Sequence, residues 1–238
     1  VRSLRNAQID GSVAITVNSS GVLHLNGFNE TIGTLNLNAG QVQTLTGTLT
    51  LAGDVTARAT NLINSFIAGR LALGSSTRTF NVASGGRVPE LGILATVSGT
   101  GGIRKTGLGL MSLTRSNTFS GLLTVAEGFL RAEDSDAFGA TPQGAVVEAG
   151  ATLSVGPDVH VGDEPLTLQG AGSHGATYAL TTSGIGSNSW AGALTLTADS
   201  GAMVFENCWL NFTGPISGPG GFTKTGPGTL VLSGNTGN

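Results

Sequence analysis

Leucine and its apolar relatives recur two residues apart along the whole chain. The pairs include Leu23/Leu25, Leu35/Leu37, Leu49/Leu51, Leu71/Leu73, Met111/Leu113, Leu153/Val155, Leu166/Leu168, Leu194/Leu196, Leu210/Phe212 and Leu230/Leu232. Residues two apart in a strand share a face, so each pair predicts a short strand with one apolar side. The residues between them are His24, Asn36, Thr50, Ala72, Ser112, Ser154, Thr167, Thr195, Asn211 and Val231, mostly polar and expected to face solvent. No stretch carries a convincing helical stripe. Asn61–Ala68 fits a short helix or a strand.

Strands this short cannot bury an apolar face alone. Stacking solves the problem: each coil covers the next, and backbone groups pair above and below. Strand starts lie roughly 12 to 22 residues apart, so two or three strands make a coil of about 20–25 residues. The chain then forms roughly ten coils, about 50 Å of axis at ~4.8 Å per coil. The expected fold is all-β, a right-handed parallel β-helix, with Leu23, Leu49, Leu153 and Leu230 sharing one interior column and neighbouring coils parallel. An antiparallel β-sandwich is the alternative, since it also yields many short alternating strands. Domain boundaries are weak. The turn-rich stretches 139–144 and 170–175 are not long linkers, so residues 1–238 read as one continuous domain.

One segment occurs twice. Residues 97–115 reappear at 216–234, shifted by 119 positions, and nine of the 17 pairs from Val97/Ile216 to Leu113/Leu232 are identical. The shared frame contains Gly99, Gly101, Gly102, Lys105, Gly107 and Gly109, matched by Gly218, Gly220, Gly221, Lys224, Gly226 and Gly228. A sandwich offers no reason for such a repeat, and a solenoid does. These residues are assigned a structural role, the glycines at tight corners.

The two segments resemble the autotransporter-associated β-strand repeat, also called the passenger-associated transport repeat. The first continues through Asn117–Gly121, Leu123–Val125, Gly128–Arg131 and Asp136–Gly139 in the manner of that family. It departs at Leu110, where Thr is usual, and at Arg115-Ser116, which lengthens a turn. The second stops at Asn235–Asn238. Repeat motifs are thus placed at 97–139 and 216–238. Gly21–Leu35 resembles another segment common in the same passengers. The resemblance implies a fragment of an exported passenger, displayed on or released from a bacterial surface, with near-absence of cysteine because such chains cross the outer membrane unfolded.

Composition narrows the function classes. Glycine is 39 of 238 residues, charged residues are 11% and aromatic residues 5%. Two lysines and nine arginines, dispersed, make no basic stripe for nucleic acid. The net charge is −3. Cys208 is the only cysteine, which rules out an intrachain disulfide and a cysteine metal cage; it reads as a small buried residue. Residues 1–5 lack a signal-peptide core, and no apolar run approaches the ~18 residues of a membrane span. The chain therefore reads as a piece of a larger secreted protein.

Each chemical motif has a plain structural reading. Gly170–Gly175 matches G-x-G-x-x-G, but residues 176–180 beyond it read as a strand rather than the helix a dinucleotide needs. Glu127, Glu133, Asp134 and Asp136 form the densest acidic group. Paired carboxylates serve glycoside hydrolysis, yet this stretch reads as a solvated turn. Asp158, His160, Asp163 and Glu164 form a second polar group, read as surface hydrogen bonding. His24 and His174 lie elsewhere, and no zinc spacing occurs. Lys105 and Lys224, the only lysines, read as turn residues that snorkel over apolar surface or bond a carbonyl. Trp190, Trp209 and Tyr178 are too scattered to define a sugar platform. Phe28, Phe66, Phe119, Phe129 and Phe138 are candidates for stacking.

The expected protein is a non-enzymatic structural and adhesive segment without cofactor or metal. Its expected partners are neighbouring repeats, a second copy end to end, and surface glycans, with no direct membrane insertion. The alternatives are a carbohydrate-active lyase or hydrolase on the same scaffold, or a glycan-binding adhesin.

Overall fold

A computed structural model of the chain describes residues 1–140 and 143–234. Residues 141–142, within the stretch 139–144, and residues 235–238 of the second repeat lie outside the described residues. The elements are β-strands and one short 3-10 turn, Ser173–Gly175. Every strand pairing is parallel, which sets aside the antiparallel sandwich.

The strands form a solenoid of about ten coils with three faces. Face one is a ten-stranded sheet from Ile15–Val17 to Ile216–Ser217. Face two follows it in each coil, from Val22–His24 to Phe222–Thr225. Face three begins as Glu30–Ile32 and Leu49–Leu51. It then merges into the second halves of the eight-residue strands Ser65–Ala72 and Leu91–Ser98. Later it returns as a separate four-stranded sheet, from His160–Val161 to Thr229–Leu232. Asn61–Ala68 resolves into a loop followed by a strand, with no helix.

Inward rows are apolar and continuous. One runs Leu23, Val42, Ile67, Ile93, Leu113, Ala132, Val155. The four leucines expected in one column do not share it. Leu49 stands with Leu71 and Val97, Leu153 with Leu130 and Leu180, and Leu230 with Leu210 on face three. The reason is geometric. A three-sided coil has several inward rows, and identical Leu-x-Leu signals do not say which row or face they serve.

Coil length varies without breaking register. Ile15, Leu35 and Val55 are partners spaced by 20 residues, whereas Val55 to Phe80 and Phe80 to Lys105 take 25. The additional residues of these two coils fall at the corner between faces one and two, in loops 59–64 and 83–90. Where face three has no strand, Asn117 replaces it. Its Oδ1 accepts the Val97 N–H at 2.8 Å and its Nδ2 donates to the Ala137 carbonyl at 2.7 Å. One amide thus bridges the coils below and above, which satisfies buried backbone groups that lack a sheet partner.

Two expected solvent-facing residues are buried. Ser112 and Ser154 flank Arg131 in one outward row, small side chains beside a long one. Among the described residues the ring contacts are Phe129–His174, Phe138–Trp190 and Phe212–Phe222. Phe28, Phe66 and Phe119 therefore do not stack as expected. Trp190 is fully buried and donates its indole N–H to the Glu164 carbonyl at 2.6 Å. Cys208 is buried, with its Sγ 2.6 Å from the Gly184 carbonyl.

Candidate functional site

The repeated segment builds a corner, and its two copies occupy different corners. In the first, strands Ile103–Thr106 and Leu110–Leu113 lie on faces one and two. In the second, Phe222–Thr225 and Thr229–Leu232 lie on faces two and three. Five coils carry face one from Ile103 to Ile216, 113 positions. The motif shift of 119 overshoots that by 6 and reaches the next face.

Local geometry is nonetheless the same at both. Gly107 and Gly226 have φ of +75° and +79°, a region that L side chains rarely adopt. A Cβ on Gly107 would sit 2.5 Å from the Val82 carbonyl oxygen of the coil below, and one on Gly226 2.4 Å from that of Val204. Gly101 and Gly220 likewise lie against Ser76 and Ala198 carbonyls, at 2.1 and 2.2 Å from the missing Cβ. Gly99, Gly109, Gly218 and Gly228 also approach backbone of the preceding coil, and Gly102 that of the following one. Gly221 is the exception, meeting the Asp199 side chain.

Lys105 points inward. It occupies an interior column between Phe80 and Val125 and is fully buried. Its ammonium reaches the corner and donates to the carbonyls of Thr106 (3.0 Å), Gly107 (2.6 Å) and Glu127 (3.0 Å). Glu127 Oε2 accepts the Gly107 N–H at 2.7 Å, and Glu90 accepts those of Gly85 and Leu110. Burial lowers the Lys105 pKa to about 8, against the attraction of Glu127 and Glu90, which raises it. Lys105 therefore bonds carbonyls but does not snorkel. An amine with no exposure cannot meet a soluble substrate, so its chemistry is internal. Lys224 donates to the equivalent Gly226 carbonyl but is exposed in the last described coil. Glu90 was not evident as part of this corner from sequence. Its only signal is its place just before a strand.

The acidic group is not brought together. Glu127 serves the corner between faces one and two, while Glu133 pairs with Arg131 at 2.6 Å. Asp134 accepts the Asp136 N–H and Asp136 accepts the Ser116 hydroxyl. Asp158 accepts the Ser187 N–H, His160 contacts the Ser189 hydroxyl, and Asp163 is exposed. Glu164 is largely buried. These contacts join one coil to the next or hold a turn. At Gly170–Gly175 the chain makes a 3-10 turn, and the next strand begins only at Leu180. Among the described residues no cluster of three His, Cys, Asp or Glu could hold a metal ion. No helix among them is long and apolar enough to cross a membrane.

Comparison with known proteins meets the geometry at this corner. A family model described as Passenger-associated-transport-repeat matches residues 103–132 and 222–237. Two segments of the chain are thus similar to passenger-associated transport repeats. The matched residues begin at the two corner strands and include both lysines. Over 139 residues the chain is also 37% identical to the Adhesin BmaC autotransporter of Brucella suis biovar 1 (strain 1330), a stretch of 58% of this chain. The chain spans 4% of the length of that relative. No solved structure matches it.

Proposed function

We infer that this chain is a segment of a non-enzymatic autotransporter passenger, exported to the bacterial surface, where it forms part of an adhesive shaft. The match of the repeat model to both corner segments carries the reading, and the similarity to a protein named as an adhesin supports its adhesive half. The mechanism is passive. Each coil buries its apolar rows on the one before, so a rigid rod grows without a disulfide. Folding coil by coil outside the membrane opposes backward movement of the chain. Outward faces and loops then meet glycans or other cell surfaces. The enzymatic alternative needs carboxylates that converge, and the described ones are dispersed over separate corners.

The test is to place residues 1–238 between a signal peptide and a membrane-barrel translocator in a non-adherent bacterium. Protease-accessible display with increased attachment to host-cell or glycan-coated surfaces supports the reading. Retention inside the cell, or display without added attachment, overturns it. End-to-end assembly is a separate element. Sedimentation would show mass rising with concentration, and a concentration-independent monomer would remove it.

A further inference from the structure

The polar outer surface of face one is not uniform. Over its first coils two outward rows stand side by side. One contains Thr16, Asn36, Thr56 and Asn81, and the other Asn38 and Arg58, with Asn18 at its foot. Asn38 Nδ2 donates to Asn18 Oδ1 at 2.9 Å, and Arg58 Nε donates to Asn38 Oδ1 at 2.9 Å. In the adjacent row the Thr56 hydroxyl donates to Asn36 Oδ1 at 2.6 Å, and Asn36 Nδ2 to Thr16 at 3.4 Å. Both chains of bonds run in the same direction.

That direction has a consequence for what is left over. Each amide oxygen in the Arg58–Asn38–Asn18 chain accepts one hydrogen bond. The nitrogens that carry no bond among the described residues are the Asn18 Nδ2 and the terminal nitrogens of Arg58, all of them donors. The Nε bond also restrains the guanidinium, which is exposed. The surface is concave here: Asn18, Ser19, Asn38, Arg58, Ala59 and Thr60 line one hollow. A second hollow shares Asn38 and Arg58 and extends to Asn81. Loop 83–90 supports the wall, since the Arg87 N–H donates to the Thr60 carbonyl at 2.8 Å.

Charge points the same way. Between residues 15 and 98 the acids are Glu30, Asp54 and Glu90. Each is spent on backbone N–H groups: Gln8 and Ile9 for Glu30, Thr79 for Asp54, Gly85 and Leu110 for Glu90. Among the described residues Arg58 makes no ion pair, unlike Arg104 and Arg131. A groove of neutral amides and hydroxyls, with free donors at two points and an uncompensated guanidinium, suits an acceptor-rich anion with hydroxyl-bearing rings.

We propose that this groove binds a carboxylate-bearing saccharide, with Arg58 on the carboxylate and Asn18 on a hydroxyl or ring oxygen about two coils away, ~10 Å along the axis. The ligand is an acidic glycan rather than a neutral one, because a bidentate guanidinium–carboxylate contact is the strongest interaction the groove offers. This rests on the adhesive reading and names the site and ligand class for it.

The experiment measures binding of the purified chain to immobilised polygalacturonate, with dextran as the neutral polymer and heparin as the sulfated one. Saturable binding to polygalacturonate, absent on dextran, is expected. Arg58→Gln should weaken it about tenfold, the worth of one charge-assisted bidentate contact, and Asn38→Ala should weaken it less. Arg104→Gln, which removes a paired cation further along the same face, should leave it unchanged. Unaltered melting of Arg58→Gln shows that the fold is kept, and this residue is exposed. No binding to polygalacturonate overturns the proposal. So does equal loss in Arg58→Gln and Arg104→Gln, or heparin binding that ignores Arg58, since either reports general charge attraction. A displayed Arg58→Gln chain that still attaches to cells would sink this site while leaving the adhesive reading intact.

Discussion

The two copies of the repeat are nearly the same sequence in two different settings. The first lies mid-stack, with a coil on either side. The second lies in the last described coil, one face further round. Four of the five glycine pairs behave alike because their close contacts are to the coil below, which both copies possess; Gly102 meets the coil above, whereas Gly221 meets the Asp199 side chain. The lysines differ because Lys105 also bonds the Glu127 carbonyl of the coil above and is sealed by it. The difference teaches that the motif specifies a corner, not a face, and that burial of its lysine comes from the following coil.

The largest effect should separate the lysines. Lys105→Ala removes a buried stem and leaves three corner carbonyls without their donor, costing about 3 kcal/mol. Lys224→Ala, exposed, should cost under about 0.5 kcal/mol. Denaturant titration of both variants checks this, and equal costs would break the comparison. Next, Gly107→Ala and Gly226→Ala should each lose about 2 kcal/mol, since the strained φ and the clash with a carbonyl below are shared. A large loss at one and none at the other would show that the corners are not equivalent.

A pH series sharpens the contrast further. The Lys105 pKa falls from an ordinary 10.5 to about 8 on folding. Between those values the unfolded chain holds more protons, so stability rises with pH. The cost of burying the charge is fully present below pH 8 and is relieved by 10.5. The melting temperature of the parent relative to Lys105→Met should therefore climb over that window. A flat difference would contradict the buried setting. The smallest effect concerns the outer face. In the first copy Arg104 pairs with Glu148 at 2.7 Å, two coils on, where the second copy has Thr223. A double-mutant cycle on this half-exposed pair should give about 0.5–1 kcal/mol.

The parallel stack was legible in the sequence because Leu-x-Leu states a period and an inward side, and the repeated segment favours a solenoid over a sandwich. The corner glycines were legible because they repeat. Facial phase was not: both copies have identical internal spacing, and the loops that reset phase, such as 59–64 and 83–90, carry no periodic signal. Glu127 was grouped with Glu133–Asp136 by nearness along the chain, yet a coil places them at different corners. Nothing along the sequence sets Arg58, Asn38 and Asn18 apart. Only the register of one coil on the next makes them a continuous chain of hydrogen bonds.

The central claim is that the second copy is stacked one face away from the first, and disulfide trapping tests it most directly. In a Cys208→Ala background, Met203→Cys with Thr225→Cys should close readily on mild oxidation, because these residues are register partners on face two. Thr197→Cys with Thr225→Cys, the pairing expected if the second copy lay on face one like the first, should stay reduced. Rapid closure of the 197–225 pair with no closure of the 203–225 pair would contradict the account.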